Sequence, residues 1–241
     1  MLRGILVVTA CALGAGVGWV VLRERVEGSG NRAAEEREVG DVTQVVLAGE
    51  GNLTVTPGEA TELVVTADDN ILPLLETNSA GGTLTLRTKS GVSLSPKTPI
   101  TYALKVPKLD RLTVSGAGNA AVEGPVGGDD LEVKVSGAGD VKLRGLARKG
   151  LTVTLSGAGN VTAAGTAQRL TAKVSGAGDI KAADLRSMTA DVHISGAGNA
   201  TVWATGDLKA HVSGAGDVKY KGQPRVDQKV SGAGSIKPAG G

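Results

Sequence analysis

Through most of the chain apolar and polar residues alternate, and the alternation lines up on a recurring serine. One residue before the serines at 115, 136, 156, 175, 195, 213 and 231 stand Val114, Val135, Leu155, Val174, Ile194, Val212 and Val230. Three before come Leu112, Val133, Val153, Ala172, Val192, Ala210 and, breaking the series, Gln228. Five after come Ala120, Val141, Val161, Ile180, Ala200, Val218 and Ile236. The positions between are polar or small. A period of two marks a strand with one buried face. Each copy reads as strand, glycine-rich bend, strand and variable loop. No copy keeps a 3.6-residue period, and glycine is too frequent for helix.

The bend is Ser-Gly-Ala-Gly in all seven copies, at spacings of 21, 20, 19, 20, 18 and 18 residues. A unit of that size cannot bury its apolar face alone. Stacked coils about 4.8 Å apart close a continuous core and satisfy the backbone between rungs. The predicted fold is all-β: a single-chain parallel β-helix, or β-solenoid, of coils about 20 residues long, with right-handed crossovers. The two glycines fit a sharp bend that needs positive φ or close backbone approach. Residues 111–241 form this repeat solenoid. Residues 42–110 alternate less cleanly, with Pro73 interrupting Ile71–Leu75, and read as an N-terminal β part that begins and caps the stack. Ala48-Gly49-Glu50-Gly51-Asn52 looks like a divergent first copy.

A second pattern rides on the first. The residue after each bend runs Asn119, Asp140, Asn160, Asp179, Asn199, Asp217 and Ser235; two further on come Ala121, Lys142, Thr162, Lys181, Thr201, Lys219 and Lys237. Carboxylates on adjacent rungs would repel. Alternation doubles their spacing and offers each Asp a same-face Lys, so the column reads as a structural ladder spaced by electrostatics. Asn and Asp also tolerate bend conformations.

Upstream, Gly4–Leu22 is an uncharged, largely apolar run of 19 residues between Arg3 and Arg23. It is long enough to span a bilayer as a helix. An uncleaved anchor, a cleaved signal peptide and a lipid attached at Cys11 all fit, and each exports the body. Residues 23–41, rich in Arg, Glu and Gly, read as a solvated tether.

Composition narrows the function classes. Hydrophobic residues make up 41% of the chain, but Phe is absent and Trp19, Trp203, Tyr102 and Tyr220 are the aromatics. The core must therefore be thin and built from Val, Leu, Ile and Ala. A net charge of +2, with no basic cluster among aromatics, argues against nucleic acid. Cys11 is the one cysteine, so the body has no disulfide.

Chemistry is sought where copies depart from the pattern. His193 and His211 occupy the same outward position in neighbouring copies. A metal pair is one reading, but Thr113, Lys134, Thr154, Lys173 and Lys229 share the column, and a polar column is simpler. Trp203 has outward parity, where an indole stacks on a sugar ring or covers a loop. These three residues are the candidate binding positions. Asp140, Asp179 and Asp217 could be read as a sugar-cleaving carboxylate set, but their regularity favours structure. Seven equivalent serines without a matched base are not nucleophiles. No cofactor is expected.

The repeated V-S-G-A-G-[ND]-[VI] unit, with Val65-Thr66-Ala67-Asp68-Asp69-Asn70-Ile71-Leu72 and Gly82-Thr83-Leu84-Thr85-Leu86 upstream, resembles the head GIN domain family. The resemblance spans about Val42 to Lys237. It implies a β-helical fold and an exported, adhesin-like protein, with no catalytic motif to carry over. The chain departs from a self-exporting autotransporter, having too little further sequence for a membrane barrel and no aromatic girdle. The expectation is a non-enzymatic envelope protein, membrane-anchored and periplasmic or on the cell surface, that binds a surface ligand such as a glycan or envelope component. A self-associating structural protein, a homo-oligomer stacked end to end, is the alternative; a polysaccharide-active enzyme is the third reading.

Overall fold

The computed structural model describes residues 24–239, and within them the molecule is a β-solenoid of about six turns. The N-terminal part holds β1 (Glu24–Glu27), β2 (Arg32–Arg37), β3 (Gln44–Leu47), β4 (Asn52–Pro57) and β5 (Glu62–Asp68). A 3-10 turn at Leu72–Leu74 follows, then β6 (Leu75–Ala80), β7 (Thr83–Thr88), β8 (Val92–Ser95) and β9 (Thr101–Val106). The repeats supply β10 (Arg111–Val114), β11 (Asn119–Glu123), β12 (Asp130–Val135), β13 (Val141–Leu155), β14 (Val161–Val174) and β15 (Ile180–Ile194). The last coils are β16 (Ala200–Val212), β17 (Val218–Lys221), β18 (Arg225–Val230) and β19 (Ile236–Pro238).

From β10 onward every strand pair is parallel and in repeat register. Leu112 lies over Val133, Val133 over Val153, Val153 over Ala172 and Ala172 over Val192. The residues before each bend build one face of the stack, and those after it build a second. Their inward side chains, from Leu112 and Val114 through to Leu208, Val212 and Val218, are almost wholly buried. At roughly 25 cal/mol per Å² of apolar surface removed from water, this continuous column is the main stabilising term.

In the central coils the variable part is strand, not loop. β13 to β16 run 13 to 15 residues without a break, with Leu146, Ala167, Leu185 and Ala204 pointing inward on a third side. Differences in copy length are absorbed by register shifts, such as those between Leu143 and Leu146 and between Ala182 and Arg186. Gly145 and Gly165, at φ of 65° and 127°, take the backbone through these irregular positions.

The glycines of the seven Ser-Gly-Ala-Gly bends answer to close approach and not to positive φ, which none of them adopts. A Cβ on Gly137, Gly157, Gly176, Gly196 or Gly214 would run into the carbonyl oxygen of the equivalent glycine one coil below. The same holds along the second series, from Gly139 to Gly234. Each bend lies flat on its predecessor, and only hydrogen fits between them. The bend Ser and Ala side chains point outward and are exposed.

Residues 42–110 do begin the solenoid, but out of chain order. β7 and β9 form a rung beneath β3 and β4, on which β10 and β11 then stack. Gly118 N–H donates to Gly49 O at 3.2 Å and Asn119 N–H to Gly51 O at 2.9 Å. Ala48–Asn52 is thus the first bend. The end is closed by antiparallel strands: β6 on β7, and β5 on β9 with β2 outside it.

The tether reading of residues 23–41 needs correction. β1 pairs with β8, and β2 pairs with β5 over Arg32–Arg37. A charged strand suits an outermost edge, where it buries little and resists further pairing. The apolar run Gly4–Leu22 lies outside the described residues, among which no helix is long and apolar enough to cross a membrane.

Candidate functional site

The Asn/Asp column is a hydrogen-bonded ladder. From Asp140 onward the N–H of each ladder residue faces the coil below, where the side-chain oxygen of the previous member accepts it. Asp140 N–H donates to Asn119 Oδ1 at 2.9 Å, Asn160 N–H to Asp140 Oδ1 at 2.8 Å, and Asp179 N–H to Asn160 Oδ1 at 3.2 Å. Asn199, Asp217 and Ser235 continue it at 2.9, 2.9 and 2.7 Å. Each Asn above an Asp gives a second bond, Nδ2 of Asn160 to Asp140 and of Asn199 to Asp179, both at 3.0 Å.

The alternation therefore has a cause beyond charge spacing. An amide donates downward and accepts upward, while a carboxylate only accepts, so Asn above Asp satisfies both. The expected Asp–Lys pairs do not form: among the described ion pairs none involves Asp140, Asp179 or Asp217. The Asp140 carboxyl is held below its ordinary value first by the Asn160 backbone and side-chain hydrogen bonds, with Lys142 and Lys181 adding weaker attraction. For Asp217 the Ser235 hydroxyl leads and the Ser235 N–H follows.

His193 and His211 do meet. Their ring centroids lie 6.1 Å apart at a tilt of 51°, on rungs in direct register. A carboxylate stands beside them: Asp191 Oδ1 is 3.0 Å from His193 Nε2. Two residues apart on one strand, they share the outward face, so parity alone could have shown it. No three metal-ligating side chains cluster among the described residues.

Around them the first face is hollowed at its C-terminal end. A shallow depression of about 320 Å³ is lined by Asp191, His193, Lys209, His211, Asp227 and Lys229. A larger one of about 610 Å³ adjoins it along Arg169, Thr189, Asp207, Lys209, Arg225 and Asp227, over Leu208 and Val226. The rungs place Asp191, Lys209 and Asp227 in one column of alternating sign. Trp203 lies apart from both hollows. It is half-buried with outward parity, between Arg186 and Lys221 in register.

Two buried charges carried no sequence signal. Arg148 is 6% exposed and turns inward, its Nη1 donating to Gly127 O and Gly128 O at 2.8 and 2.6 Å. Asp68 is fully buried and accepts from the N–H groups of Gly30, Lys97 and Thr98 at 2.9, 2.8 and 3.2 Å. It pins two N-terminal loops to β5. Burial works to raise its carboxyl, but those backbone bonds outweigh it and hold the group below its ordinary value.

Known proteins share this architecture. The family model described as "Putative auto-transporter adhesin, head GIN domain" matches residues 41–224. A structure described as a "putative adhesin" from Bacteroides fragilis is 27% identical with a TM-score of 0.85, covering 89% of this chain and 100% of that chain. A "putative lipid binding protein" from Parabacteroides distasonis is 28% identical with a TM-score of 0.76, covering 90% and 100%. A further "putative adhesin", from Parabacteroides merdae, shares the fold at 22% identity and a TM-score of 0.69, covering 90% and 99%. No curated protein matches the chain.

Proposed function

Since the chain belongs to the head GIN domain family of adhesin-like proteins, we propose that it is an exported, non-enzymatic binding module. The N-terminal apolar segment holds it at the membrane and its first face meets a glycan or another envelope component. The observation that carries this reading is the pair of adjoining hollows on that face. They lie where the copies differ, while the bend and ladder columns stay regular. Alternating Asp191, Lys209 and Asp227 beside the two imidazoles offer spaced donors and acceptors, which suits a polyhydroxylated or zwitterionic polymer running along the stack. Trp203, on another side between two cations, is a second contact for a long ligand.

Hydrolysis is disfavoured because Asp140, Asp179 and Asp217 already accept bonds from the next rung. A catalytic acid needs a carboxyl free to hand over its proton.

The test is immobilised full-length protein presented to envelope polysaccharides, matrix glycans and lipid-linked glycans. Binding should weaken about tenfold in Lys209→Ala and His211→Ala, about 1.4 kcal/mol each, and be unchanged in Ser156→Ala on a bend. Absence of binding across the panel, or equal loss in all three variants, would overturn the assignment.

A further inference from the structure

The two ends of the solenoid are finished differently. The N-terminal end is closed by antiparallel strands, with the charged β2 outermost. At the other end β18 pairs only with β16, and among the described residues nothing covers its far edge. Val226 and Val230 hold inward positions, yet they are 38% and 44% exposed, whereas Leu208 and Val212 one coil below are fully buried. Among the described residues the core of the rod is open there. A row of unpaired peptide groups beside apolar side chains is a template for another strand.

The sequence of β18, Arg225-Val226-Asp227-Gln228-Lys229-Val230, matches itself when read antiparallel about Gln228. In that register Val226 faces Val230 on the inner side, twice. Asp227 faces Lys229 on the outer side, twice. Gln228 faces Gln228, which explains an amide at an inward position that Leu, Val or Ala fills in every earlier copy. A buried amide needs a partner, and a second amide supplies both donor and acceptor. Shifting the centre to Asp227 would set Asp227 against itself and Arg225 against Lys229, so charge disfavours that register.

We propose that two copies of the chain join tail to tail through β18, antiparallel about Gln228, as a closed two-fold dimer. The two-fold runs perpendicular to the solenoid axis, so the inner faces of both copies stay inside and one core passes through the junction. The rung-to-rung alternation of Asp191, Lys209 and Asp227 then ends against the second copy's opposite charge. An isologous contact uses up the exposed edge and stops growth at two. This inference does not depend on the ligand-binding reading.

The experiment is light scattering of the full chain in detergent, with the detergent mass subtracted, over a hundredfold range of concentration. The protein mass should double as concentration rises. Lys229→Asp and Asp227→Lys should each weaken the dimer at least tenfold, and the double exchange D227K/K229D should restore it. Q228C, with Cys11→Ser, should oxidise to a covalent dimer, since the two-fold sets the two cysteines opposite each other. Circular dichroism keeps unfolded variants out of the comparison. A monomer throughout, mass growing beyond two copies, single exchanges without effect, or no Q228C cross-link would each overturn the proposal.

Discussion

Asn160 sits between Asp140 below and Asp179 above, and it gives and receives at once. Asn160→Asp keeps the shape, removes the Nδ2 donor and puts three carboxylates on successive rungs. The expected cost at pH 7 is about 1–2 kcal/mol, from one lost hydrogen bond and two like-charge contacts. Repulsion raises the folded-state pKa of the crowded carboxyls, so this deficit should shrink as pH falls through the carboxylate range. The parent protein behaves oppositely. Asp140 and Asp217 lie below their ordinary 3.8 when folded, so their contribution is complete above that value and is lost as pH falls through the lowered one. Urea titrations at pH 7 and pH 4 distinguish the two: the gap between variant and parent must narrow at pH 4. The column itself was legible in the sequence. Its bonding was not, because Asn/Asp alternation satisfies both charge spacing and amide–carboxylate pairing, and only the direction of the bend N–H separates them.

At the scale of the coil, the strict repeat mixes residues fixed by contact with residues that are merely exposed. A Cβ at Gly178 would meet the Gly159 carbonyl oxygen, so Gly178→Ala should cost about 1–3 kcal/mol through forced separation of two coils. Ser175, exposed on the same bend, should tolerate Ala within about 0.5 kcal/mol. Thermal melts of the two variants check this, and equal shifts would mean the bends are not in contact. Strand periodicity exposed the coil, yet it hid the third side, where bulges break the period of two. β1 and β2 escaped for another reason: β2 is too polar to announce itself by pattern, and it is held in place by pairing with β5. Asp68 gives that element its own test. Asp68→Asn keeps the size but turns one acceptor into a donor facing backbone N–H groups. It should release the loops at Gly30 and Lys97–Thr98, seen as faster amide exchange there while the repeat coils stay protected. Because the Asp68 carboxyl is lowered on folding, the parent should show the same loosening once pH drops below the ordinary carboxylate range.

For the whole molecule, a stack whose coils touch only their neighbours is stabilised coil by coil, and its ends govern how it opens. Interior coils lose two interfaces on opening, while the final coil loses one and begins with its core exposed. Leu170→Ala, deep in β14 and fully buried, should therefore cost about 2–5 kcal/mol of global stability. Val226→Ala, at the open end, should cost less than about 1 kcal/mol in dilute protein, because much of that side chain already meets water. Hydrogen exchange should map the same gradient, with amides of β13 to β15 slowest and those of β18 and β19 fastest. Concentration then distinguishes a frayed end from a joined one. If β18 pairs with its own copy, raising the protein concentration should slow exchange in β18 and leave β13 to β15 unchanged, since a partner that binds only the closed end stabilises only what opens there. In that case Val226→Ala becomes more costly as concentration rises, because the valine is then buried against Val230 of the second copy. A gradient that ignores concentration would leave the solenoid open at its tail and require a different partner for that edge.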